Sequence, residues 1–318
     1  MTFSVIGCGR WGSFIAWYLH SLGYRGTLYG RPGSERLQAL RQTRSNGLVT
    51  FGEGVALTDD LREALAADVV CVSVASQALR GVMEQVRALG PTGKTFVLCM
   101  KGIEVRSGMR LSEIAGAALD PSNDVAVWLG PGHVQEFVRG IPNCMVIDAE
   151  REEVKARLVA AFSGGLIRFY YGTDLTGSEV GAAAKNVIGI AAGMLDGFSL
   201  SSLKGALRAR GTREIARLIR AMGGNELSAY GLCHLGDYEA TVFSPYSHNR
   251  RFGEAFVRGE AYDELAEGYY TAAALANLSA RHGVELPICR AVYAVLYEGA
   301  APKETLDGLF LRSIKREF

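Results

Sequence analysis

The chain has 318 residues, of which 48% are hydrophobic, and its formal net charge is +1. A length of this order favours two domains, and the hydrophobic fraction is enough for each of them to bury a core. The near balance of 34 basic and 33 acidic side chains excludes a broad electrostatic surface for nucleic acid or an anionic membrane, so any anion recognition must be local.

Cysteine spacing and hydropathy indicate the compartment. The six cysteines contain no CxxC pair, which favours buried thiols in a reducing compartment over a disulfide framework. The first residues, MTFSVIGCG, lack a charged region and a long apolar run, so we expect no signal peptide. The longest nearly uncharged run, 180–195, is too short for a membrane span and contains Lys185. We therefore expect a cytoplasmic protein without a membrane span and without a metal site.

The first half of the chain alternates short β-rich runs with segments of helix length. The runs interpreted as strands are FSVIG, GTLYG, DVVCVSV, TFVLCMK, VAVWLG and CMVIDA. Near-continuous apolar strands between amphipathic helices indicate a parallel sheet that is covered on both faces. Residues 1–173 are therefore predicted to form an α/β domain of the doubly wound Rossmann type.

The second half, residues 174–318, has long helical patterns instead of strand patterns. They cover 176–197, 201–222, 261–282 and 287–297, whereas 225–253 is rich in Gly, Asp, Pro and Ser and is expected to be irregular. The second domain is therefore predicted to be helical. Because no low-complexity linker separates the halves, the boundary near residue 173 should be tight.

A glycine fingerprint follows the first predicted strand. SVIGCGRWG places Gly7, Gly9 and Gly12 where the strand gives way to a helix. In this pattern the first glycine permits a tight turn, the second lets a pyrophosphate approach the backbone, and the third allows close packing of helix on strand. Three glycines also occur near a turn by chance, but the strand, turn and helix context is the one that dinucleotide binding requires. The fingerprint therefore predicts a site for NAD or NADP.

The end of the second predicted strand bears on the choice between these cofactors. An acidic residue is expected there when NAD is preferred, but GTLYGRPG offers Arg31. One interpretation is that Arg31 meets the 2′-phosphate of NADP, which slightly favours NADP. The other is a solvated arginine in a loop.

Lys185 is the only charged residue within 180–195. Burying an ammonium is costly unless something pairs with it, so an apolar helix rarely carries one without a use. Gly181 and Gly189 lie one helical turn to either side and Gly193 follows on the same face, so a ligand or another backbone could come close. A buried lysine can exchange a proton near neutral pH, which carbonyl reduction beside a nicotinamide needs. The alternative is a buried ion pair at the domain interface.

Two further segments carry candidate site residues. Lys101 follows the strand TFVLCMK, and ligands of open α/β sheets bind at such carboxyl ends, although a lysine can also merely leave the sheet edge there. The run SPYSHNRRFG places His248, Arg250 and Arg251 together in an otherwise neutral chain. This run is a candidate for local anion recognition.

Taken together, these motifs resemble the NAD(P)-dependent glycerol-3-phosphate dehydrogenase family of bacterial type. The matching segments, in chain order, are GCGRWG, MKGIE, LGPGHVQE, AAAKNVIGIAAGM, GLCHLGDYEAT, SHNRRFG, AEGYYTA and GVELPI. The resemblance implies a Rossmann domain followed by a helical substrate domain similar to the C-terminal domain of 6-phosphogluconate dehydrogenase. It also implies a homodimer, a small phosphorylated substrate, and hydride transfer between NAD(P)H and C2 of dihydroxyacetone phosphate.

The resemblance also assigns roles to individual residues. It implies that Lys185 is the catalytic acid/base, that Asp237 lies beside it, and that Lys101 contacts the substrate; a carboxylate would also steady a buried ammonium. The residues expected to bind the cofactor are Gly7, Gly9, Arg10, Trp11, Gly12, Arg31, Val134 and Glu267. The residues expected to bind the substrate are Lys101, Gly130, Gly132, Asn186, Thr241, Ser247, His248, Asn249 and Arg250.

Two departures from the family pattern concern the substrate end. His248 stands where the family has an arginine suited to a phosphate dianion, and GPGHV, with Gly132 and His133, stands where GPTFA or GPSFA is usual. One interpretation is a shifted substrate such as a phosphonate or another hydroxy compound. The other is that Arg250 and Lys101 suffice for the ordinary substrate.

Two other functions share part of these features. A 2-keto acid reductase similar to ketopantoate reductase has the same architecture but does not account for NRRFG. A redox sensor that holds NAD(P) without turnover is the non-enzymatic alternative, and the presence of Lys185, Lys101 and Asp237 together argues against it.

Overall fold

The computed structural model describes residues 1–311, apart from the side chains of Glu239 and Phe310, and it contains two compact units. The first comprises Met1–Lys101 and Met109–Glu179, and the second comprises Gly102–Gly108 and the described residues 180–311. The short segment Gly102–Gly108 thus belongs with the second unit. The division into domains at residue 173 stays a prediction.

The first unit is built on a single sheet with the strand order β3-β2-β1-β4-β5-β6-β7-β8. The strands are β1 (Phe3–Ile6), β2 (Gly26–Tyr29), β3 (Val55–Thr58), β4 (Val69–Val72), β5 (Thr95–Leu98), β6 (Asp124–Leu129), β7 (Asn143–Ala149) and β8 (Ile167–Tyr171). Strands β1, β4 and β5 are buried along their whole length, as the apolar runs predict. This sheet confirms the predicted Rossmann type of fold.

Two strands were not predicted from the sequence. In β8, Ile167 and Phe169 are buried while Arg168, Tyr170 and Tyr171 are exposed, which is the alternation of an edge strand with one face in water. β3, at the other edge, is buried only at its two ends. Continuous apolar runs identify strands that are covered on both faces, so both edge strands escaped this criterion.

The sheet, which is expected to be parallel, contains one antiparallel strand pair. β7 runs antiparallel to β6, with Ala126 opposite Ala149, whereas the other neighbouring strands are parallel. A parallel return needs a crossover as long as the strands themselves. The connection between β6 and β7 contains only the four-residue helix α6 (Val134–Phe137) and not the long crossover helix that usually joins parallel strands.

Helices cover the sheet of the first unit. Besides α6 they are α1 (Arg10–Ser21), α2 (Glu35–Thr43), α3 (Leu61–Leu65), α4 (Leu79–Leu89), α5 (Leu111–Ala118) and α7 (Glu152–Phe162). Phe14 and Tyr18 of α1 pack in an aromatic core with Trp128 of β6. The Tyr18 hydroxyl donates to the carbonyl oxygen of Phe162 at 2.7 Å, so the polar end of this buried ring is satisfied.

The second unit is helical and is organised around α8 (Leu175–Gly197), which is buried along nearly all of its length. The other helices are α9 (Lys204–Ala221), α10 (His248–Arg258), α11 (Glu267–His282), α12 (Pro287–Tyr297) and α13 (Pro302–Phe310). Apolar residues of α8, α9, α11 and α12 form its core. None of the helices within residues 1–311 combines the length and the apolar composition that crossing a bilayer requires.

Three helical predictions need correction. The region 225–253, expected to be irregular, contains short 3₁₀ and π turns and the start of α10 at His248, where the Ser247 hydroxyl accepts from the Arg250 N–H as a helix cap. α11 begins at Glu267 and not at residue 261, because residues 260–266 form no helical turn and Ala266, directly before the helix, is extended. α13 was not predicted; it begins with Pro302 at a position where proline favours helix initiation.

Candidate functional site

Close packing requires glycine at two positions of the turn between β1 and α1. Gly7 has φ +115°, and a Cβ there would lie 2.1 Å from the carbonyl oxygen of Ser73. A Cβ on Gly12 would lie 1.9 Å from the carbonyl oxygen of Gly7. Only glycine fits at either position, so these two residues bring the start of α1 directly onto the end of β1.

Gly9 is different, because the packing of the fold leaves room for a side chain at this position. A Cβ there would meet only the Nη1 atom of Arg36, at 3.7 Å. Gly9 is also the N-cap of α1, so it has no side chain that could accept hydrogen bonds from the first N–H groups of the helix, and the first turn carries no acidic residue. Open space beside uncapped N–H groups fits the pyrophosphate of a dinucleotide.

The residues next to Gly9 differ in exposure. Arg10 is exposed at the start of α1. The ring of Trp11 stacks on Phe14 with centroids 5.1 Å apart and lies 6.3 Å from the ring of Phe137, so its side chain belongs to the aromatic core. The contacts predicted between these two residues and the cofactor stay predictions.

Two arginines follow β2. Arg31 is exposed in the loop after the strand, and Arg36 is exposed in the first turn of α2. Within residues 1–311, neither guanidinium has a hydrogen bond or an ion pair. Sequence reasoning proposed Arg31 but missed Arg36, since only the fold shows that its guanidinium reaches the turn at Gly9.

Lys101 lies at the carboxyl end of the sheet, where the sequence predicts it. Its ammonium donates to the carbonyl oxygen of Gly130 at 2.6 Å. Gly130 has φ +124°, and a Cβ there would lie 3.0 Å from the Cα of Met145. Two residues that are expected to bind the substrate, one after β5 and one after β6, are therefore in direct contact.

The structure gives a physical reason for one departure from the family pattern, the glycine at position 132. Gly132 has φ +143°, and a Cβ there would lie 2.4 Å from the ring of Phe137. A serine or threonine would be strained by the backbone and would collide with this ring. Val134, expected to contact the cofactor, is buried in α6 two residues later. Glycine is therefore the residue that the packing of Phe137 demands.

Lys185, Asp237 and Thr241 come together in the second unit. The Lys185 ammonium lies 3.1 Å from Oδ2 of Asp237 and donates to the Thr241 hydroxyl at 2.5 Å. Lys185 is 7% exposed, and Asp237 and Thr241 are 1% exposed each. The carboxylate offsets the desolvation of the buried ammonium, since an opposite charge at this distance stabilises the charged form. The three residues form a buried proton donor with its counter-charge.

The glycine stripe beside Lys185 accommodates another part of the backbone. A Cβ on Gly189 would lie 2.6 Å from Cγ2 of Thr241, and a Cβ on Gly193 would lie 1.9 Å from the carbonyl oxygen of Arg250. Of the two alternatives, a ligand or a backbone, these contacts show a backbone on the stripe. The stripe lets the chain that carries Thr241 and α10 lie directly on α8.

Asn249 connects three helices. Its amide nitrogen donates to Oδ1 of Asn186 at 3.0 Å, and its Oδ1 accepts from the N–H of Gly268 at 2.8 Å. Gly268 follows Glu267, the half-buried first residue of α11. Asn186 and Asn249 are thus brought together, while the cofactor contact predicted for Glu267 stays a prediction.

The two basic residues of the SHNRR run that are expected to bind the substrate, His248 and Arg250, already have partners in the protein. The Nδ1 atom of His248 lies 2.6 Å from Oε2 of Glu264 and 2.9 Å from the Tyr262 hydroxyl. Arg250 Nη1 donates to Asp196 at 2.7 Å and to Glu254 at 3.1 Å. The sequence did not indicate these acidic partners, and the substrate contacts expected for both residues stay predictions.

A buried histidine behind the lysine was also missed. His234 is fully buried, and its ring nitrogens contact the carbonyl oxygen of Gly181 and the Tyr238 hydroxyl, each at 2.8 Å. Because a carbonyl only accepts, Nδ1 carries the proton and Nε2 accepts from the tyrosine. Burial lowers the pKa of His234 to about 4. Its position three residues before Asp237 was the one signal in the sequence.

Comparisons with known proteins agree with this geometry. Family models described as the N-terminus and the C-terminus of NAD-dependent glycerol-3-phosphate dehydrogenase match residues 2–155 and 174–307. A Chlorobium limicola protein named glycerol-3-phosphate dehydrogenase (NAD(P)+) is 36% identical over 332 residues, covering 100% of this chain and 99% of that protein.

Solved structures extend the comparison. A crystal structure of glycerol-3-phosphate dehydrogenase from Coxiella burnetii is 26% identical, with a TM-score of 0.91 and coverage of 98% of this chain and 99% of that one. A ketopantoate reductase from Ralstonia eutropha, 16% identical with a TM-score of 0.65 over 96% of this chain and 100% of that one, shares the fold alone. The chain therefore belongs to the NAD(P)-dependent glycerol-3-phosphate dehydrogenase family.

Proposed function

We propose that the protein reduces dihydroxyacetone phosphate to sn-glycerol 3-phosphate with NAD(P)H, and that it can run the reverse reaction. The observation that carries this proposal is the buried group of Lys185, Asp237 and Thr241. When bound, the nicotinamide supplies the hydride that adds to C2 of the ketone. Lys185, held as an ammonium, donates the proton that the C2 oxygen gains, so that the ketone becomes an alcohol.

The neighbours of Lys185 hold it in the form that this step needs. The Asp237 carboxylate keeps the ammonium charged before the transfer, and the Thr241 hydroxyl accepts one of its protons in a hydrogen bond, which fixes its direction. Burial excludes water that would compete for the proton. In the reverse direction the neutral amine takes the proton from the alcohol.

We assign the substrate phosphate to the start of α10. Ser247 caps this helix, and the first-turn N–H groups of a helix favour an anion. His248 and Asn249 lie in the same turn, and we assign Lys101, Gly130 and Gly132 to the same substrate. His248 is held by Glu264 and Tyr262, so the ordinary phosphorylated substrate would be bound with less direct cationic help than an arginine supplies.

We further propose a preference for NADP over NAD. Arg31 and Arg36 follow β2, which is the strand end that faces the adenosine ribose in this type of fold. Neither has an ion pair within residues 1–311, so both guanidinium groups can bind a 2′-phosphate. The one acidic side chain in the same stretch, Glu35, is exposed in the first turn of α2.

The reaction is tested by following NADPH and NADH oxidation with dihydroxyacetone phosphate, with a phosphonate analogue, and with dihydroxyacetone. We expect turnover with the phosphate ester and at least about tenfold lower kcat/KM without the phosphate, since the charge-assisted contacts are lost. Binding of NADPH without turnover on any ketone would instead indicate a sensor. A higher kcat/KM for the phosphonate would indicate a shifted substrate.

We also propose a cytoplasmic homodimer, as the family resemblance implies. All six cysteines lie within the described residues and are free thiols, which suits a reducing compartment. Sedimentation velocity of the purified protein tests the oligomeric state, and a single species of about twice the chain mass of 34.2 kDa is the expected result.

A further inference from the structure

Asp196 lies on α8, eleven residues after Lys185. Since a helix turns by about 100° per residue, this spacing returns to nearly the same face of the helix. The Asp196 side chain is 11% exposed. It accepts hydrogen bonds from Lys204 Nζ at 2.5 Å, from Arg250 Nη1 at 2.7 Å and from Ser201 Oγ at 2.8 Å. We call these four residues the Asp196 cluster.

Both cations of the Asp196 cluster also bind the backbone of the segment 241–247. Lys204 Nζ donates to the carbonyl oxygen of Val242 at 3.2 Å, and Arg250 Nε donates to the carbonyl oxygen of Ser244 at 3.1 Å. This segment begins at Thr241, which contacts Lys185, and ends at Ser247, which caps α10. The cluster therefore fixes the stretch of chain between two residues of the proposed site.

The negative charge of the Asp196 carboxylate holds the two cations of the Asp196 cluster together. Burial alone would raise the pKa of Asp196, but the hydrogen bonds from Lys204, Arg250 and Ser201 outweigh burial and hold the pKa below its ordinary value. Both cations contact the same oxygen, Oδ2. An uncharged group at this position would leave two neighbouring cations to repel each other.

Glu254 does not duplicate the role of Asp196. It lies 3.1 Å from Arg250 Nη1 and 2.8 Å from Arg258 Nη2, both on its own helix. Within residues 1–311 its side chain contacts neither Lys204 nor the segment 241–247. Glu254 thus shares one cation with Asp196, which makes it a matched control.

We propose that Asp196 is a positioning residue for the reduction site: through Lys204 and Arg250 it holds the segment 241–247 so that Thr241 stays on Lys185 and Ser247 stays at the start of α10. This role rests on the proposed function for its effect on catalysis. The mechanical part, ordering of the segment, does not depend on which substrate is reduced.

The test compares Asp196→Asn, which keeps the shape but removes the charge, with Glu254→Gln. For Asp196→Asn we expect kcat/KM for dihydroxyacetone phosphate to fall by about tenfold or more, while the Kd of NADPH changes less than about twofold. Hydrogen exchange of the amides in 241–247 should become faster, and amides of the first unit should keep their rates. Glu254→Gln should keep kcat/KM within about twofold of the unsubstituted protein.

Hydrogen exchange separates failure of this proposal from failure of the proposed function. If the unsubstituted protein does not reduce dihydroxyacetone phosphate, the function is wrong, but faster exchange confined to 241–247 in Asp196→Asn still supports the positioning role. Unchanged exchange in that segment overturns the positioning role.

If Asp196→Asn does not fold, Lys204→Met replaces this variant, since the pair of Asp196 and Arg250 then remains. Faster exchange at 241–247 in that variant supports the proposal, and unchanged exchange overturns it.

Discussion

The charge of Lys185 is carried by a helix that is otherwise uncharged for sixteen residues, and one carboxylate and one hydroxyl make this possible. Removing the ammonium should therefore abolish the proton transfer, and it should also lower stability, because Asp237 would be left as a buried unpaired charge. An ion pair that served stability alone would behave differently, because its loss would lower stability while the protein that still folds kept its kcat.

We expect Lys185→Met to lower kcat by about a thousandfold or more, because the proton donor is gone. The Kd of NADPH, measured by fluorescence titration, should change less than about twofold, since the phosphate turn lies in the first unit. Lys303→Met, which removes an exposed lysine paired with Asp307, is the control and should keep full activity. A Lys185→Met protein that retains more than about a tenth of the turnover would contradict the assignment.

The burial of His234 predicts how the stability of the protein depends on pH. Its pKa in the folded protein is about 4, lowered from 6.5 by burial, so the unfolded chain binds more protons between these values. The stability that neutral His234 contributes is therefore present above about pH 6.5 and is lost as the pH falls towards about 4, at about 1.4 kcal/mol per pH unit.

The variant His234→Asn tests this contribution, since its side-chain amide can still donate to Gly181. Urea unfolding between pH 4.5 and 7.5 should show a shallower loss of stability in acid for the variant than for the unsubstituted protein. The slope of the free energy of unfolding against pH should differ by roughly the contribution of one bound proton. Parallel curves across this range would mean that His234 does not stay neutral when the protein is folded.

At the level of elements, the contact between α8 and α10 depends on glycine. A Cβ on Gly193 would lie 1.9 Å from a backbone oxygen of α10, so Gly193→Ala must push the two helices apart. We expect a loss of about 1–3 kcal/mol in the free energy of unfolding, the usual cost of overpacking a close contact. Gly205→Ala in α9 is the matched control, since a Cβ there meets nothing within 4 Å, and it should stabilise by about 0.5–1 kcal/mol. Equal effects of the two substitutions in urea unfolding would refute this account.

The elements also show how far the sequence alone leads. Strands β1, β4 and β5 and helix α8 are buried on all sides, so their composition is nearly uniform and identifies them. The direction of β7 could not be predicted, because it depends on the length of α6, and α10 was hidden by the turn-forming residues that precede it. The direction of β7 and the start of α10 depend on other parts of the chain, so the local sequence pattern does not determine them.

The residues of the site also divide into those that a local sequence pattern predicts and those that depend on contacts between remote segments. The order of the motifs predicted that Lys185, Asp237 and Thr241 belong together, and the structure places them within hydrogen-bonding distance. Arg36 and Asp196 were not predicted, because each acts at a point that is distant in the chain: Arg36 at Gly9, and Asp196 at Arg250. Contacts between remote segments need the fold.

The molecule as a whole has almost no net charge, and this makes its salt dependence informative. With a formal charge of +1, the protein exerts little long-range attraction on an anionic cofactor. The pyrophosphate is common to NADH and NADPH, so its contribution to the salt dependence cancels in a comparison of the two. What remains is the local attraction between the 2′-phosphate and the cations near it.

We therefore expect the Kd of NADPH to rise more steeply than that of NADH when NaCl is increased from about 0.05 to 0.5 M, because salt screens exposed charges strongly in this range. Arg36→Ala and Arg31→Ala should each reduce the difference between the two slopes, and the double variant should abolish it. Arg139→Ala, an exposed arginine elsewhere in the first unit, is the control and should leave both slopes unchanged. If the slopes for NADH and NADPH were equal in the unsubstituted protein, the two arginines would not read the 2′-phosphate, and the preference for NADP would have to be abandoned.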